Sequence, residues 1–384
     1  MKNSSPNSFP KFLYKPHEFV KPKSVELQTL VPYIHMASLS TPPPTTTTIT
    51  TVDEGSATSI SAVHSDILQT HILTRLDGPT IASAACTCSQ LNTLSSQEAL
   101  WTNICNSTWP STKTPRIRHV ISTFPNGPRS FFSDSFPLLT NLDLPNNSTQ
   151  SHHDRTSELI SAVDVYYKGN LVFSKVIETE TVTGWFKCSP FRLDLLDPKD
   201  VVPTPIRLQD DDDDTCRDLE EHLELSWILI DPVGRRAMNV SSQKPVSVQR
   251  HWLSGEVHVR FATILAGDHH RGSSSEFVQC GVVITCGGSR GRGVLIKEMS
   301  LQAEDMDGIH LNGKESLVIL QRAMEGKKGI KRREEEGRKR YQEFLERKKE
   351  RKEMKLRTER RLDMLCVAFG VLGFATFWLF VLCR

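Results

Sequence analysis

The apolar residues of the chain first recur at helical spacing, from Ile60 to Trp109. Ser65-Asp66 can cap one helix, which Asp77-Gly78-Pro79 ends, and a second helix is predicted to follow. The apolar face that these helices share consists of Ile67, Leu68, Ile72, Leu73, Leu76, Ile81 and Trp101. Residues 59–109 are therefore predicted to form a small helical unit.

A period of two replaces the helical period after residue 156. Leu159–Tyr167 and Leu171–Ile177 flank a turn at Lys168-Gly169-Asn170 and predict a β-hairpin. Further strands are predicted at Leu223–Asp231, Ser247–Leu253, Glu256–Leu265, Phe277–Cys286 and Gly293–Leu301. Short strands with turn signals between them are typical of an antiparallel sheet or sandwich. Residues 156–312 are therefore predicted to be one β-rich domain, which makes the fold α+β.

The last part of the sequence separates charged from apolar residues. Residues 313–362 are rich in Lys, Arg and Glu, and their apolar positions are too sparse for a coiled coil, so we predict a long, solvated, charged helix. Residues 364–383, Met364–Cys383, contain no charge and no proline, and a helix of that length spans about 30 Å, the thickness of a bilayer core. Basic residues crowd the preceding flank, which favours a cytosolic location for the bulk of the chain. The sequence predicts a single-pass, tail-anchored membrane protein.

Two further segments are rich in proline and small polar residues. Residues 1–58 cannot bury enough apolar surface to order themselves, so we predict disorder, with a transit peptide as the alternative. Met36 opens a second possible N-terminus, which would make residues 1–35 an upstream extension. Residues 110–155 are predicted to be a loop or linker, and the phenylalanines Phe131, Phe132 and Phe136 to pin it to a neighbouring surface.

Charge and cysteine content narrow the choice of partners. The net charge of +2 conceals an acidic run, Asp210–Asp214, and a basic excess, Lys327–Arg361. The acidic run lacks the ligand spacing of a calcium loop, so we predict a solvated loop. The basic stretch matches a nuclear localisation or nucleic-acid patch, but its position favours attraction to anionic lipid, and we expect no nucleic-acid partner. Nine cysteines without CxxC spacing indicate free thiols in a reducing compartment.

No motif in the chain predicts catalysis or a cofactor. The glycine-rich stretch Gly287–Gly293 lacks the GK[ST] ending of a phosphate loop and is followed by a strand. The pairs His152-His153 and His269-His270 have no third ligand at metal spacing. We therefore predict a protein that is not an enzyme and that binds neither metal nor cofactor.

The helical stripe resembles the F-box. The matching residues are Asp66-Ile67-Leu68, Ile72-Leu73-x-x-Leu76, Ile81–Leu91 and the closing Trp101. The sequence departs from the family pattern at His64-Ser65, where Leu-Pro is usual, and at Gln90-Leu91, where an aromatic residue is common.

The rest of the chain is similar to one plant group of F-box proteins, which includes the tail-anchored cytokinin-induced F-box protein. The similarity lies in the Cys-Ser-Gln-Leu variant at Cys88–Leu91 and in Gly127–Asp134, Ser226–Asp231 and His251–Arg260.

The resemblance implies a substrate-receptor subunit of an SCF-type ubiquitin ligase. Its partners would be a Skp-family adaptor, a cullin bound through that adaptor, and a protein substrate that the sequence does not identify. The adaptor-binding residues would be Ile67, Leu68, Ile72, Leu73, Leu76, Ile81 and Trp101, because an F-box is too small to bury its own apolar stripe. The β-rich domain, with Trp227, Trp252 and the Arg235-Arg236 turn, would recognise the substrate.

Two alternatives stay open. The same apolar residues can instead pack against the β-rich domain of the chain itself. Separately, the protein can be a membrane-anchored lectin-like or scaffolding protein whose vestigial F-box no longer binds an adaptor, and His64-Ser65 is the feature that favours this second alternative.

Overall fold

The computed structural model describes residues 63–136, 156–207, 212–267, 276–288, 293–326 and 334–384. The first of these ranges is entirely helical and turn-linked. Its first helix, α1, combines an α turn (Ser65–Ile67), a π turn (Leu68–Ile72) and a 3₁₀ turn (Leu73–Arg75). The other helices are α2 (Gly78–Ala85), α3 (Ser89–Ser95), α4 (Glu98–Thr108), α5 (Pro115–Ser122) and α6 (Gly127–Asp134), with a 3₁₀ turn at Pro110–Lys113 after α4.

Two antiparallel sheets follow. The first is four-stranded, in the order β2-β1-β5-β6, and the second has the order β3-β10-β9-β8-β7, with β4 pairing to β10. The strands are β1 (Glu158–Tyr167), β2 (Asn170–Glu180), β3 (Arg192–Asp194), β4 (Val202–Arg207), β5 (Leu223–Asp231), β6 (Arg236–Asn239), β7 (Ser247–Arg250), β8 (Val257–Ala266), β9 (Phe277–Gly287) and β10 (Gly293–Asp305). The antiparallel β-domain and its β1–β2 hairpin confirm the β-rich prediction.

The first sheet is covered on both faces. Leu159, Val163 and Trp227 belong to the core that faces the second sheet, whereas Ile160 and Ile228 belong to the core that faces the helices. Neighbouring strand residues point to opposite faces, so this sheet needs apolar residues at successive positions. The described part of the chain is therefore layered as helices, first sheet and second sheet.

The described residues contain four more helices: α7 (Gly184–Cys188), α8 (Asp212–His222), α9 (Gly313–Glu325) and α10 (Glu334–Leu382). Asn312 and Glu315 form a reciprocal cap at the start of α9, whose Leu317, Leu320 and Met324 lie in the core between the sheets. The 49-residue α10 carries the charged stretch and the apolar stretch in one helix.

Some predictions for the connecting segments were wrong. Residues 110–136 were predicted to be a loop, but they contain α5 and α6. The predicted packing of Phe131 and Phe132 against a neighbouring surface is confirmed, because both are buried. Residues 313–325 were predicted to be a solvated charged helix, but they form α9, an amphipathic helix of the core. The acidic run was predicted to be a loop, but α8 begins within it at Asp212.

Several other predictions lie outside the described residues. These are the disorder of residues 1–58, the start at Met36, the loop at 137–155, the residues Asp210 and Asp211, and both histidine pairs.

Candidate functional site

The π turn in α1 decides which apolar residues face outward. The Leu73 amide donates to the Leu68 carbonyl, a hydrogen bond between residues five apart. In this π turn, side chains five residues apart point to nearly the same side of the helix. Leu68 and Leu73 are both buried, whereas the side chains of Ile67 and Ile72 are 49% and 43% exposed. Pi turns of this kind are frequent at functional sites.

His64 begins this helix in place of the usual Leu-Pro. Its Nδ1 atom accepts a hydrogen bond from the Asp66 amide at 3.3 Å, and the two side chains approach to 3.5 Å. Because the first amides of a helix have no partner within the helix, this contact caps α1. The departure at His64 therefore leaves the start of the helix intact.

α2 is held against α6 at a position where a side chain does not fit. Asp77 caps α2 through the Thr80 amide at 3.1 Å, and Gly78 lies directly on the ring of Phe132. A Cβ atom at position 78 would lie 2.4 Å from two carbons of that ring. Trp101 lies beside the same ring at 5.4 Å and donates through Nε1 to the Ser95 carbonyl at 2.6 Å.

The structure therefore divides the seven candidate residues into two groups. Leu68, Leu73, Ile81 and Trp101 are buried within the chain, in the core that also includes residues of the first sheet. Ile67 and Ile72 are exposed, and Leu76 is half-buried. We call Ile67, Ile72 and Leu76 the outer face of the helical unit. Sequence spacing alone did not separate the two groups.

A buried carboxylate joins the helical unit to the first sheet. Asp164 of β1 is fully buried and accepts hydrogen bonds from the Ser111 amide at 2.9 Å, from Ser111 Oγ at 2.5 Å and from Ser174 Oγ at 2.7 Å. Burial raises the pKa of the Asp164 carboxyl above its usual value, and the hydrogen bonds from Ser111 and Ser174 act in the opposite direction. Sequence analysis did not identify Asp164, because one polar residue in a buried strand carries no pattern.

The proposed substrate-recognition residues do not form one surface. Trp227 is fully buried, and its Nε1 atom donates to Ser161 Oγ at 3.2 Å. The Arg235-Arg236 turn joins β5 to β6 in the first sheet and is exposed, with Arg235 at a φ of 51°. Trp252 belongs to the β7–β8 turn of the second sheet, where its side chain is 82% exposed. Trp227 is thus a core residue.

The first half of α10 is fixed to the β-domain. Phe344 is buried, and the Arg347 guanidinium lies 4.8 Å from the centroid of the Phe277 ring. Asp307, which follows β10, binds Arg351 at 3.1 Å and Lys355 at 2.8 Å. Lys355 and then Arg351 hold the pKa of the Asp307 carboxyl below its usual value.

The second half of α10 is exposed over its whole length. The apolar side chains from Met364 to Leu382 are exposed. Among the described residues, α10 is the one helix long and apolar enough to cross a membrane, judged by length and composition.

The described side chains offer little for other chemistry. No group of three or more His, Cys, Asp or Glu residues within the described ranges is arranged to hold a metal ion. All nine cysteines are free, and burial raises the pKa of the Cys280 and Cys286 thiols to about 12, so these two are poor nucleophiles.

Comparison with known proteins gives a consistent result. A family model described as F-box-like matches residues 67–107. Three Arabidopsis thaliana proteins are similar over most of their length. "Probable F-box protein At2g36090" is 49% identical over 85% of this chain and 94% of its own, and "F-box protein At3g44326" is 49% identical over 85% and 92%. "F-box protein At2g27310" is 43% identical over 87% and 99%. No solved structure matches.

Proposed function

This chain belongs to the F-box protein family, and we propose that it is a membrane-held substrate receptor of an SCF-type ubiquitin ligase. F-boxes bind Skp-type adaptors, which connect them to a cullin. The observation that carries the proposal is the F-box-like region at residues 67–107, followed along the chain by an antiparallel β-domain that can hold a substrate. The protein would act by binding and positioning its substrate, without catalysis of its own.

The outer face is the part of the F-box that supports adaptor binding in the free chain. Ile67 and Ile72 expose about half of their surface, and large apolar side chains gain most when a partner removes them from water. Leu68, Leu73, Ile81 and Trp101 would support this face from beneath. Substitution of Leu73 would therefore test folding of the helical unit rather than the interface.

The outer face gives a sharper experiment. We expect the Ile67→Asp, Ile72→Asp variant to lose a co-purifying Skp adaptor and cullin from detergent extracts of plant cells. Leu171→Asp is the matched control, because Leu171 is equally apolar and 44% exposed but lies on β2. Equal recovery of adaptor by both variants would contradict the proposed interface. No recovery even by the unmodified chain would favour the scaffolding protein with a vestigial F-box.

We propose further that the apolar half of α10 spans a bilayer. The exposed Val367, Phe369, Leu372 and Phe374 side chains would be costly in water, and a bilayer would cover them on every side of the helix. The basic residues of the preceding turns, including Arg360 and Arg361, would contact anionic headgroups on the cytosolic side.

The membrane anchor and its topology can be tested together. The full chain should stay with the membrane pellet after alkaline carbonate extraction, and a variant that ends at Asp363 should move to the supernatant. A glycosylation acceptor appended after Arg384 should be modified if the chain is tail-anchored. Extraction of the full chain by carbonate would contradict the anchor.

The narrower relationship, to the group that includes the cytokinin-induced F-box protein, is also a proposal. It is supported by the segments Gly127–Asp134 and His251–Arg260. The first forms α6, which carries the Phe132 ring under Gly78, and the second forms the β7–β8 turn and the start of β8.

A further inference from the structure

The turn between β7 and β8, residues 251–256, displays two large apolar side chains. Trp252 is 82% exposed and Leu253 is 74% exposed. We call these two residues and their turn the hairpin tip. Single exposed apolar residues are common on protein surfaces, but two large ones side by side are not.

The backbone of the hairpin tip is fixed by its own hydrogen bonds. The His251 amide donates to the Glu256 carbonyl at 2.7 Å, and the Gly255 amide donates to the His251 carbonyl at 2.9 Å. His251 Nδ1 accepts from the Ser254 amide at 3.1 Å, and Gly255 has a φ of 69°, which favours glycine. A fixed tip loses little conformational entropy when a partner binds it.

Side-chain contacts fix the tip to the rest of the sheet. Lys297 of β10 donates to Glu256 at 2.7 Å, which holds the pKa of the Glu256 carboxyl below its usual value. The His251 ring stacks on Trp252 with 6.4 Å between centroids and meets the His258 ring edge-on at 5.9 Å. The Trp252 side chain is therefore supported on one side by an imidazole.

The charge around the tip favours an acidic partner. Arg250 donates to the Gly255 carbonyl at 3.3 Å, so a guanidinium adjoins the turn, and the His251 ring lies beside the indole. Lys297 neutralises the Glu256 carboxylate. The tip therefore presents an apolar centre with the Arg250 guanidinium at its edge.

The orientation of α10 makes the membrane an unsuitable occupant. Arg347 of α10 binds Glu276, just before β9, and Arg351 binds Asp307, just after β10, so α10 leaves the sheet at the end of β8. The hairpin tip lies at the start of β8, ten residues away, or about 30 Å along an extended strand. A membrane that holds the C-terminal half of α10 therefore lies beyond one end of the β8 strand, and the tip lies at the other end.

We propose that the hairpin tip docks a protein segment that combines acidic and large apolar residues, with Trp252 and Leu253 as its central contacts. The identification of this segment with the ligase substrate rests on the proposed function. Docking itself does not, because it follows from the exposure, fixation and charge of the tip.

The test uses the full chain in phosphatidylcholine nanodiscs and a random peptide display library. Trp252→Ser, Leu253→Ser is the test variant, and Trp185→Ser is the matched control, because Trp185 on α7 is 83% exposed. Selection should enrich peptides with both acidic and large apolar residues. These peptides should bind the test variant about 30-fold more weakly and the control as tightly as the unmodified chain. Unchanged melting temperatures would show that all three proteins fold.

Other outcomes overturn the proposal. It fails if no peptide is enriched, if the selected peptides lack acidic residues, or if they bind the test variant undiminished. A benzophenone photo-cross-linker at position 253 should react with a selected peptide, and reaction with lipid instead would assign the tip to the membrane.

Measuring Skp-adaptor binding on the same proteins separates this proposal from the proposed function. If the chain binds the adaptor but no peptide binds through the hairpin tip, the docking proposal is contradicted and the proposed function is not. If peptides bind through the hairpin tip but the adaptor does not bind, the proposed ligase role is contradicted and the docking proposal is not.

Discussion

Asp164 provides the sharpest prediction about how the F-box is held on the β-domain. Asp164→Ala removes the acceptor of the Ser111 amide and of two hydroxyl groups. The hydroxyls of Ser111 and Ser174 can rotate toward other acceptors, but the Ser111 amide is fixed by the 3₁₀ turn and would be left buried without a partner. The expected loss of stability is about 1–3 kcal/mol.

Asp164→Asn is the matched control. The amide oxygen can still accept from the Ser111 amide, the amide nitrogen can donate to a serine hydroxyl, and no charge is buried. We expect the free energy of unfolding to change by less than about 1 kcal/mol, because the Ser111 amide keeps an acceptor.

Urea unfolding of the full chain in detergent measures the change in the free energy of unfolding. Hydrogen exchange in the peptide that contains Ser111 measures the loss of protection at this junction. Asp164→Ala should accelerate exchange there, whereas Asp164→Asn should not. Equal losses in the two variants would refute the argument that the acceptor, rather than the charge, holds this junction.

The raised pKa of Asp164 adds a pH dependence with a definite sign. A carboxyl whose pKa is higher in the folded state binds its proton more tightly when folded, so ionisation favours unfolding. Relative to Asp164→Asn, the unmodified chain should lose stability as the pH rises from the usual Asp value to the raised value and stay constant above it. A difference that does not change with pH would contradict this assignment.

Three further predictions test other parts of the structure. Gly78→Ala should destabilise the F-box by about 1–3 kcal/mol in urea unfolding, because its Cβ atom overlaps the Phe132 ring, and Phe132→Leu in the same chain should recover part of the loss. Asp307→Asn should accelerate hydrogen exchange in the first half of α10; in the unmodified chain this protection should hold above the usual Asp pKa and decline as the pH falls through the depressed value. Iodoacetamide should modify Cys86, which is exposed, and spare Cys280 until the chain unfolds.

The regular elements were predictable where one period extends over several residues. The bounds of β5 agree with the prediction at both ends, and the β1–β2 hairpin agrees within a few residues. The strand β3, by contrast, has three residues, which is too short to show a period.

Proline concealed two helices. α5 and α6 have Pro115 and Pro128 in their first turns, where the missing N–H has no helical partner to lose, but such prolines also mark loops. The spacing of Ile117, Val120 and Ile121 was the signal that could have identified α5.

The candidate site was predictable in part. The pattern correctly identified the apolar residues of α1, but α-helical spacing cannot separate Ile67 and Ile72 from Leu68 and Leu73. The π turn separates them, because within it side chains five residues apart point to nearly the same side of the helix. The fixed hairpin tip depends on contacts between β7, β8 and β10, which no local pattern records.

We propose that the outer face of the F-box binds a Skp-family adaptor. The most direct test is calorimetric titration of purified adaptor into the full chain in nanodiscs, with Ile67→Asp, Ile72→Asp and the Leu171→Asp control in parallel. We expect the double variant to lose at least about 30-fold in affinity, while the control binds like the unmodified chain. Undiminished binding by the double variant, or no binding by the unmodified chain, would contradict it.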